Sequence, residues 1–370
     1  MKELSYYRQE IDGLDRDIVR MILRRADLAH EIGRVKRDRN ETVYRPDREK
    51  EVYQNVQAIA ESYYQDNPDS SRFPSEALQS IYRELMSGTI YLEGGPIVAY
   101  MGPEGSFSHM ATVQRFGSSV RSLPLPTITD VFRTLEAGGE ATFGMVPVDN
   151  TTGGSVMTTL DAFLESGLKI YAEHFSRIQQ HLLYHDEIAL DDIRRIYSIR
   201  IGQEQCRDWL AAHLNLRDVE FVETNSTAAA ARLAAERKDG AAIGSNLAAE
   251  LYNLRIIARS IQDSTNNITR FWVIGNEQCK PTGDDKTSVI VGVHDRPGSL
   301  FSILDPFHMA GINLTKIESR ITRRNYGEYN FYIDFQGHFE DPHIADILRK
   351  LEERSSFLKI LGSYPAAKVL

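Results

Sequence analysis

The sequence predicts a multidomain protein in which an all-helical domain, an α/β domain and an α+β domain follow one another along the chain. Three observations predict this order. An apolar seam at helical spacing dominates the N-terminal part, strands and helices alternate after a Gly-Gly-Pro break, and the tail follows the order strand, helix, strand, strand, helix, strand. These changes of pattern place the expected domain bounds at 1–94, 95–280 and 285–370.

The first helix is expected to extend to about Arg39, with apolar residues at alternating three- and four-residue steps from Tyr7 to Val35. Such a seam buries one side of a helix against partner helices. A helix this long needs a partner along its whole length, and a second protomer is one candidate for that partner. Further helices are expected from Asp47 to about Tyr64 and from Ser75 to about Glu93.

Arg25 occupies a position of this seam, between Met21 and Leu28, where an apolar residue is expected. An unpaired guanidinium buried there would cost several kcal/mol, so an anion should meet it. Lys36 lies about three helical turns further on and points in almost the same direction. Two inward cations indicate a pocket for a small anion, and a structural salt bridge within the bundle is the alternative interpretation.

After Gly94-Gly95-Pro96, short apolar strands alternate with helices, which predicts an α/β domain with mostly parallel strands. The expected strands are Ile97–Met101, Phe143–Val148, Leu168–Ala172, Ile196–Ile199, Glu220–Glu223, Ala241–Ile243 and Phe271–Ile274. Three junctions rich in hydroxyls and glycines, at 102–108, 149–155 and 224–227, lie where strands end and helices begin. Capped helix N-termini bind anions readily, and three of them in one domain favour a shared ligand cleft.

The tail follows a linker at 278–286 and is expected to fold as a ferredoxin-like βαββαβ unit. Its first strand should be Ser288–His294, followed by a turn that ends at Gly298 and the helix Ser299–Ala310. A hairpin should cover Asn313–Phe335 and turn at Asn325 to Gly327. This order predicts a small α+β domain.

Composition and charge exclude several classes of function. A net charge of −9 argues against binding to nucleic acid or to an anionic membrane surface. No apolar run is long enough to span a bilayer. The ten histidines and two cysteines show no metal-ligand spacing, so we expect no metal and no cofactor. Free cysteines favour a reducing compartment, and we expect a cytoplasmic protein.

Polar residues break the apolar pattern of the three helices in the order Arg8, Arg25, Lys36, Arg48-Glu49, Thr89 and Glu93. This order resembles that of the all-helical chorismate mutases. The resemblance implies that the domain rearranges chorismate to prephenate. Arginines would hold the substrate carboxylates, a lysine would donate a hydrogen bond to the ether oxygen, and a carboxylate would accept one from the substrate hydroxyl. Two residues depart from the family pattern: Arg45 stands where an acid is frequent, and Glu93 stands where many members have Gln. An ionised Glu cannot donate a hydrogen bond. The implied residues are Arg8 from a partner chain, Arg25 and Arg48 for carboxylates, Lys36 for the ether oxygen, Glu49 for the hydroxyl, and Thr89 and Glu93 on the third helix.

The middle domain resembles prephenate dehydratase over residues 96–278, on the loops Gly102–Ser108 and Val146–Ser155 and the triplet Thr269-Arg270-Phe271. The resemblance implies a two-lobed α/β cleft like that of periplasmic binding proteins, with Thr269 as the proton donor when prephenate loses water and carbon dioxide. Expected substrate contacts are Ser106, Asp149, Asn150, Ser198, Ser226, Thr227, Arg270 and Phe271.

Two features of the middle domain depart from that pattern. Asp149 stands where Glu is usual, and Ser198-Ile199-Arg200-Ile201 replaces the Ser-His-Pro-Gln run of the family. Two alternatives to dehydration therefore stay open. One is a decarboxylase that does not aromatise prephenate, and the other is an inert α/β domain that only binds and senses aromatic metabolites.

The tail resembles an ACT regulatory domain, on the segments 295–301, 311–314 and 317–320. The resemblance implies that phenylalanine binds between two ACT domains, with free N–H groups at the start of the helix facing its carboxylate. The leading hypothesis is a bifunctional chorismate mutase–prephenate dehydratase that phenylalanine inhibits and that forms a homodimer or a higher homo-oligomer. The expected regulatory residues are Gly298, Ser299, Leu300, Asn313, Glu318, Ser319 and Arg320.

Overall fold

The computed structural model describes residues 3–39, 41–321 and 328–368. The chain divides into two compact units, one of Met1–Ile97 with Val113–Arg121 and one of Val98–Thr112 with Ser122–Leu370. The helices are α1 Leu4–Asp38, α2 Pro46–Asp66, α3 Ser75–Leu92, α4 Phe107–Phe116, α5 Ile128–Glu136, α6 Met157–Glu165, α7 Arg200–Gln205, α8 Arg207–His213, α9 Thr227–Arg237, α10 Asn246–Leu251, α11 Ser299–Ala310 and α12 Pro342–Arg354.

The strands form three sheets. They are β1 Ile97–Met101, β2 Arg121–Leu125, β3 Phe143–Asn150, β4 Gly154–Ser155, β5 Lys169–Arg177, β6 His181–Tyr184, β7 Arg195–Ser198, β8 Glu220–Glu223, β9 Ala241–Gly244, β10 Arg255–Ala258, β11 Ile268–Gly275, β12 Asp285–His294, β13 Leu314–Ile321, β14 Glu328–Gln336 and β15 Phe357–Pro365.

The first unit is helical, and the sequence pattern predicted its three long helices within a few residues. Pro46 is the first residue of α2, a position where its fixed φ and missing N–H are tolerated. Gly33 lets α1 approach the end of α3, because a Cβ there would lie 2.6 Å from the Glu93 Cα. Among the described residues of α1, only Ala29 and Gly33 are buried. Most of the predicted apolar seam is therefore exposed in a single chain.

The second unit contains two mixed sheets, so the expectation of mostly parallel strands is wrong. The first sheet has the order β2-β1-β3-β11-β5, with β4 beside β3, and the second has the order β10-β6-β9-β7-β8. Strand β11 runs antiparallel to both β3 and β5. It follows the whole second sheet in the chain and inserts between two strands that precede that sheet. The alternation of strands and helices does not encode this direction.

Strands β2, β4, β6 and β10 were not predicted. Strand β2 lies at the edge of its sheet and contains Pro124, which only an edge strand tolerates well. Strand β10 is also an edge strand, and its four residues are exposed or half-buried. Short edge strands of this kind lack the continuous apolar run that marks a buried strand.

The tail forms the predicted βαββαβ unit, with an antiparallel sheet of order β13-β14-β12-β15. Helix α11 spans the predicted residues, and its core side chains include Ile303 and Phe307. The turn expected at Asn325 to Gly327 lies outside the described residues. Burial alternates strictly along β13, which gives this strand two faces with different surroundings. Within the described part of the chain, no helix combines the length and apolarity that crossing a bilayer would need.

Candidate active sites

A cavity of about 630 Å³ lies among the helices of the first unit, and we call it the mutase cavity. Six of the seven residues expected from the helical domain line it: Arg25, Lys36, Arg48, Glu49, Thr89 and Glu93. Arg8 is exposed on α1 and lies outside the lining, as expected for a residue that serves a neighbouring chain. The cavity therefore collects cations and carboxylates from three helices at one place.

Arg25 meets a hydroxyl rather than a carboxylate. Its guanidinium donates to the Oγ1 of Thr89 at 3.1 Å, and that hydroxyl lies 3.0 Å from the backbone carbonyl of Met86. Thr89 is buried, so its position is fixed by the turn of α3 on which it lies. Among the described residues Arg25 forms no salt bridge, whereas Lys36 does form one, as the alternative interpretation of the two cations held.

Lys36 and Glu93 form an ion pair inside the mutase cavity, at 2.8 Å between Nζ and Oε2. The Lys36 ammonium also donates to the Val43 carbonyl at 2.9 Å. Arg37 donates to the backbone carbonyl of Glu93 at 2.8 Å, and Gly33 allows the close approach of α1 and α3 at that point. The ion pair holds the Lys36 ammonium in the cavity. The sequence indicated both Lys36 and Glu93 as site residues, but it did not predict that they contact each other.

Glu49 is paired with a residue that sequence analysis missed. Its carboxylate lies 2.6 Å from the guanidinium of Arg115, and the Tyr44 hydroxyl donates to it at 3.2 Å. Burial raises the pKa of Glu49 above its ordinary value, while Arg115 and Tyr44 act in the opposite direction. Arg115 lies on α4, beyond the predicted helical domain, so no pattern within residues 1–94 could have indicated it.

The other arginines near the start of α2 have acidic partners. Arg48 pairs with Glu51 at 2.7 Å on an exposed part of the helix, and Arg45 pairs with Asp47. Arg45 stands where an acid was expected, and Asp47 supplies a carboxylate two residues later that also lines the cavity. Short-range pairs therefore balance part of the positive charge of the cavity, and Arg25 meets a hydroxyl instead of a carboxylate.

Thr269 and Asn150 meet at adjacent ends of β11 and β3, two strands of the first sheet of the second unit. The Asn150 side-chain amide donates to the Thr269 Oγ1 at 2.8 Å and to the Asn267 side chain at 2.7 Å. Its amide oxygen accepts from the backbone N–H groups of Thr152 and Gly153. Asn150 thus supports the loop after β3 and occupies an acceptor site of Thr269, which leaves the Thr269 proton available for donation.

The loop after β1 is held by capping contacts. The Ser106 hydroxyl donates to the Met101 carbonyl and accepts the backbone N–H of His109 at 3.2 Å. The His109 ring accepts the N–H of Gly105 at 3.1 Å and stacks on Tyr100. Burial lowers the pKa of His109, which favours the neutral ring that can accept this bond. His109 is a support residue that sequence analysis missed.

The remaining junction residues lie at the end of β7 and at the start of α9, next to the second sheet. Ser226 caps α9 by accepting the backbone N–H of Ala229 at 2.9 Å, and Thr227 is buried in the first turn. Ser198 is buried at the end of β7 and contacts the Ile199 carbonyl at 2.9 Å. Gln205, which the sequence did not single out, donates to the Thr152 hydroxyl at 3.2 Å and joins the loop after β3 to the second sheet.

Arg270 and Phe271, the two other residues of the triplet that begins at Thr269, are both buried. The Arg270 guanidinium is buried and donates to Glu173 at 2.9 Å, to Asp334 at 2.5 Å and to the Tyr364 hydroxyl at 3.0 Å. Successive side chains of a strand point to opposite faces, so Arg270 points away from the side of Thr269. Phe271 is 1% exposed in the core of the sheet. Their expected contact with substrate stays a prediction.

Asp149 also has a partner in the C-terminal domain. Its carboxylate lies 2.8 Å from the Lys316 ammonium on β13. On the same strand, Glu318 accepts a hydrogen bond from the Ser155 hydroxyl at 2.8 Å, and Arg320 pairs with Asp161 at 2.7 Å. We call Lys316, Glu318 and Arg320 the inner face of β13. This face joins the C-terminal domain to the loop that carries Asn150.

The expected regulatory residues divide between the two faces of β13. Glu318 and Arg320 are on the inner face, where they pair with Ser155 and Asp161, and their expected role as ligand contacts stays a prediction. Ser319 and Asn313 are exposed. Gly298 is also exposed and has φ +84°, with open space around the position of a Cβ. The start of α11, with half-buried Ser299 and exposed Leu300, therefore offers a free surface.

Comparison with known proteins agrees with this division. Three family descriptions match in order: chorismate mutase type II over residues 7–94, prephenate dehydratase over 98–279 and the ACT domain over 287–353. A bifunctional chorismate mutase/prephenate dehydratase from Aquifex aeolicus is 42% identical over 99% of both chains. One from Stutzerimonas stutzeri is 41% identical over 99% of this chain and 98% of the relative.

A solved structure resembles the C-terminal three quarters of the chain. It is a prephenate dehydratase from Arthrobacter aurescens in complex with L-Phe, 35% identical, with a TM-score of 0.68 over 73% of this chain and 90% of that one. The full-length relatives and the order of the three domains lead to one conclusion. The chain belongs to the family of bifunctional chorismate mutase/prephenate dehydratases.

Proposed function

We propose that the chain converts chorismate to prephenate in the mutase cavity, and prephenate to phenylpyruvate at Thr269, under feedback inhibition by phenylalanine. The observation that carries the first reaction is the convergence of Arg25, Lys36 and Glu49 on one cavity. The observation that carries the second is the contact between Asn150 and Thr269. Both sites are built from residues that the sequence resemblance implies for these reactions.

The first reaction needs no covalent or acid–base step. The enzyme has to hold a flexible dianion in a compact conformation and stabilise negative charge on the breaking ether oxygen. Arg25, oriented by Thr89, and Arg48 are suited to the substrate carboxylates, because guanidinium groups bind carboxylates in a bidentate manner. Lys36 is the donor to the ether oxygen, and the Glu49 carboxylate is the acceptor for the substrate hydroxyl.

The second reaction removes the ring hydroxyl and the ring carboxylate of prephenate. The carboxylate leaves as carbon dioxide, its bonding electrons complete the aromatic ring, and the hydroxyl leaves as water after it takes a proton. Thr269 is the proposed donor of that proton. Asn150 occupies an acceptor site of its hydroxyl, and Thr269 itself is buried.

Regulation is proposed to begin at the free surface near Gly298. The turn before α11 exposes backbone N–H groups that would bind the carboxylate of phenylalanine. Asp149 and Ser155 contact the inner face of β13, so the same strand borders the loop of Asn150 and the outer face that carries Ser319. An inhibitor must bind the inactive arrangement more tightly than the active one, and β13 connects the two surfaces.

A homodimer is proposed on the exposed seam of α1. Leu14, Ile18 and Met21 are 62%, 53% and 71% exposed in one chain, although they share one face of the helix. Contiguous apolar surface of this kind marks an interface. A second copy would cover the seam and bring its own Arg8 to the mutase cavity, so the occupant that fits this face is another copy of the chain.

The product formed from chorismate tests the proposal. The full chain is incubated with chorismate, and prephenate, phenylpyruvate and non-aromatic decarboxylated products are separated by chromatography. We expect phenylpyruvate from the wild type and an accumulation of prephenate from Thr269→Ala. Thr159→Ala, a buried hydroxyl that contacts the Pro147 carbonyl, is the matched control and should still form phenylpyruvate. A non-aromatic product from the wild type would replace dehydration by decarboxylation, and phenylpyruvate at the wild-type rate from Thr269→Ala would exclude Thr269 as the donor.

A further inference from the structure

Arg115 lies outside the stretch that resembles chorismate mutase. It belongs to residues 98–279, which match prephenate dehydratase. Yet Arg115 and Phe116 line the mutase cavity together with residues of α1, α2 and α3. The segment Val113–Arg121 also groups with the helical domain as one compact unit. A site expected to be complete within residues 1–94 therefore uses a side chain from further along the chain.

The segment that carries Arg115 is held against α3 by specific contacts. The Ser118 backbone N–H and hydroxyl donate to the Glu84 carboxylate at 3.0 and 2.7 Å, and the Ser119 N–H donates to the Ser87 hydroxyl at 3.0 Å. Gly117 has φ +78°, and a Cβ there would lie 2.4 Å from the Ser87 Cβ. Only glycine allows this close approach. These contacts fix the end of α4 beside the cavity.

The contact between Arg115 and Glu49 is strong and largely shielded from water. The two groups lie 2.6 Å apart, with side chains 19% and 11% exposed. Phe116 packs on the Tyr44 ring at 4.7 Å, and the Tyr44 hydroxyl donates to the same carboxylate oxygen of Glu49 that faces Arg115. One carboxylate oxygen is thus held by two donors, which leaves the other oxygen of Glu49 to accept a hydroxyl.

From this geometry we propose that Arg115 is a positioning residue of the chorismate mutase reaction, which keeps Glu49 ionised and oriented toward the substrate hydroxyl. The inference rests on the proposed function of the mutase cavity and adds a residue to it. Arg115 acts through Glu49, and it does not touch the reacting atoms. The first active site therefore also depends on a side chain beyond residue 94.

The charge state of Glu49 supplies a readout that a purely structural role would not change. Burial raises the pKa of Glu49, and Arg115 is the largest influence that opposes this shift. Without Arg115 the protonated form should persist to a higher pH, because the carboxylate loses its nearest cation. Burial is the main cause that raises the pKa of the nearby Tyr53 to about 12, and the negative charge of Glu49 adds to this rise. The other charged or titratable groups around it are Tyr44, Arg25, Lys36, Arg45, Asp47, Arg48, Glu51, Arg83, Glu84 and Glu93.

The experiment measures mutase kcat and KM against pH in the full chain, for the wild type, Arg115→Met and Arg115→Lys. Arg115→Met should lower kcat/KM at neutral pH by about 10²-fold, the size expected when a catalytic group is misplaced. Its mutase rate should recover as pH rises and Glu49 ionises. Arg115→Lys keeps the charge and should retain the wild-type pH profile with a loss below about tenfold, since one donor survives. Arg232→Met, in an exposed ion pair with Glu236, is the matched control and should leave the mutase unchanged.

Two further variants separate this inference from the proposed function. Glu49→Gln alone should impair the mutase, and adding Arg115→Met to it should cause little further loss, because both act through one carboxylate. Prephenate turnover by every variant reports whether the chain is folded. Wild-type kinetics in Arg115→Met, equal losses in the Met and Lys variants, or a further tenfold loss in the double variant would each overturn the role of Arg115. A wild type without mutase activity, or a Glu49→Gln variant with the wild-type mutase rate, would instead overturn the proposed function of the mutase cavity.

Discussion

Lys36 shows how one side chain serves both stability and chemistry. Lys36 lies among other cations, yet it also has a buried acidic partner. Its ammonium is 2.8 Å from a Glu93 carboxylate whose side chain is only 10% exposed. Removing one partner of a buried pair leaves an uncompensated charge. Loss of Lys36 should therefore affect the fold as well as the reaction.

We predict that Lys36→Ala lowers the mutase rate by at least about 10²–10³-fold, the usual contribution of one preorganised donor to a developing oxyanion. It should also lower the free energy of unfolding by about 3 kcal/mol, the lower end for a broken buried pair. Adding Glu93→Gln to Lys36→Ala should restore most of the stability without restoring the rate. Urea unfolding and mutase assays of the two variants check this, and a double variant that regains activity would contradict the role of Lys36.

Glu93 gives the mutase a predicted response to substitution by glutamine. Its carboxylate accepts a hydrogen bond from the Lys36 ammonium, and a carboxylate cannot donate one to the ether oxygen. Glu93→Gln supplies an amide that can donate, so it should raise the mutase rate at neutral pH. Equal mutase rates for the two proteins would show that Glu93 does not face the ether oxygen.

At the scale of elements, β13 separates two roles that the sequence could not separate. Sequence resemblance placed Glu318, Ser319 and Arg320 together as regulatory residues, since they are consecutive. Because side chains alternate between the two faces of a strand, Ser319 lies on the exposed face, and Glu318 and Arg320 face the dehydratase domain. The pattern predicted the strand, but its orientation toward a neighbouring domain depends on partners such as Asp161 that lie far away in sequence.

We predict that the two faces act differently on inhibition. Gly298→Val should weaken phenylalanine binding measured by calorimetry, because it places a branched side chain at the proposed site. Gly283→Val is the matched control, since Gly283 has the same φ of +84° and open space around it. Each substitution should cost about 1–2 kcal/mol of stability through backbone strain, so only the loss of binding distinguishes them. Equal binding by both variants would exclude the Gly298 turn as the ligand site.

On the inner face, Arg320→Gln should leave phenylalanine binding within about threefold but weaken inhibition of prephenate turnover by a larger factor, since a coupling of 1–3 kcal/mol is typical of allosteric sites. The change removes the ion pair with Asp161, at 2.7 Å, and leaves the outer face intact. Arg349→Gln, an exposed arginine on α12 of the same domain, is the control. Parallel losses of binding and inhibition would show that Arg320 belongs to the ligand site.

For the whole molecule, the order and type of the three domains were predictable because each domain has its own local sequence pattern. The apolar seam indicates helices, the strand–helix alternation indicates an α/β sandwich, and the tail has the order of a ferredoxin-like unit. Strand direction in the mixed sheets and the pairing of Arg115 with Glu49 were not predictable. Both depend on contacts between segments that lie far apart in the sequence, and local sequence patterns do not determine such contacts. The predicted domain bounds stay predictions.

The proposed dimer is tested by sedimentation of the full chain over a range of concentrations. Ile18→Asp should shift the chain toward the monomer and reduce mutase activity, because a charge on the seam opposes burial and the second copy supplies Arg8. Leu23→Asp is the matched control, an apolar residue that is 60% exposed on the opposite side of α1. Prephenate turnover should be affected less than mutase activity. A wild type that sediments as a fully active monomer would rule out the proposed arrangement.

The buried contacts of Arg270 have a consequence for anyone who wishes to engineer a feedback-resistant enzyme. Cutting the chain before residue 285 is the simplest way to discard an inhibitory module. Here that cut would strip Asp334 and Tyr364 from Arg270, and Lys286 from Glu173, on the strand next to the proposed catalytic threonine. In the truncated enzyme, Arg270 and Glu173 would lose partners that now pair with their charges. Single substitutions at the open surface near Gly298 are therefore the better route to an enzyme that keeps working as its product accumulates.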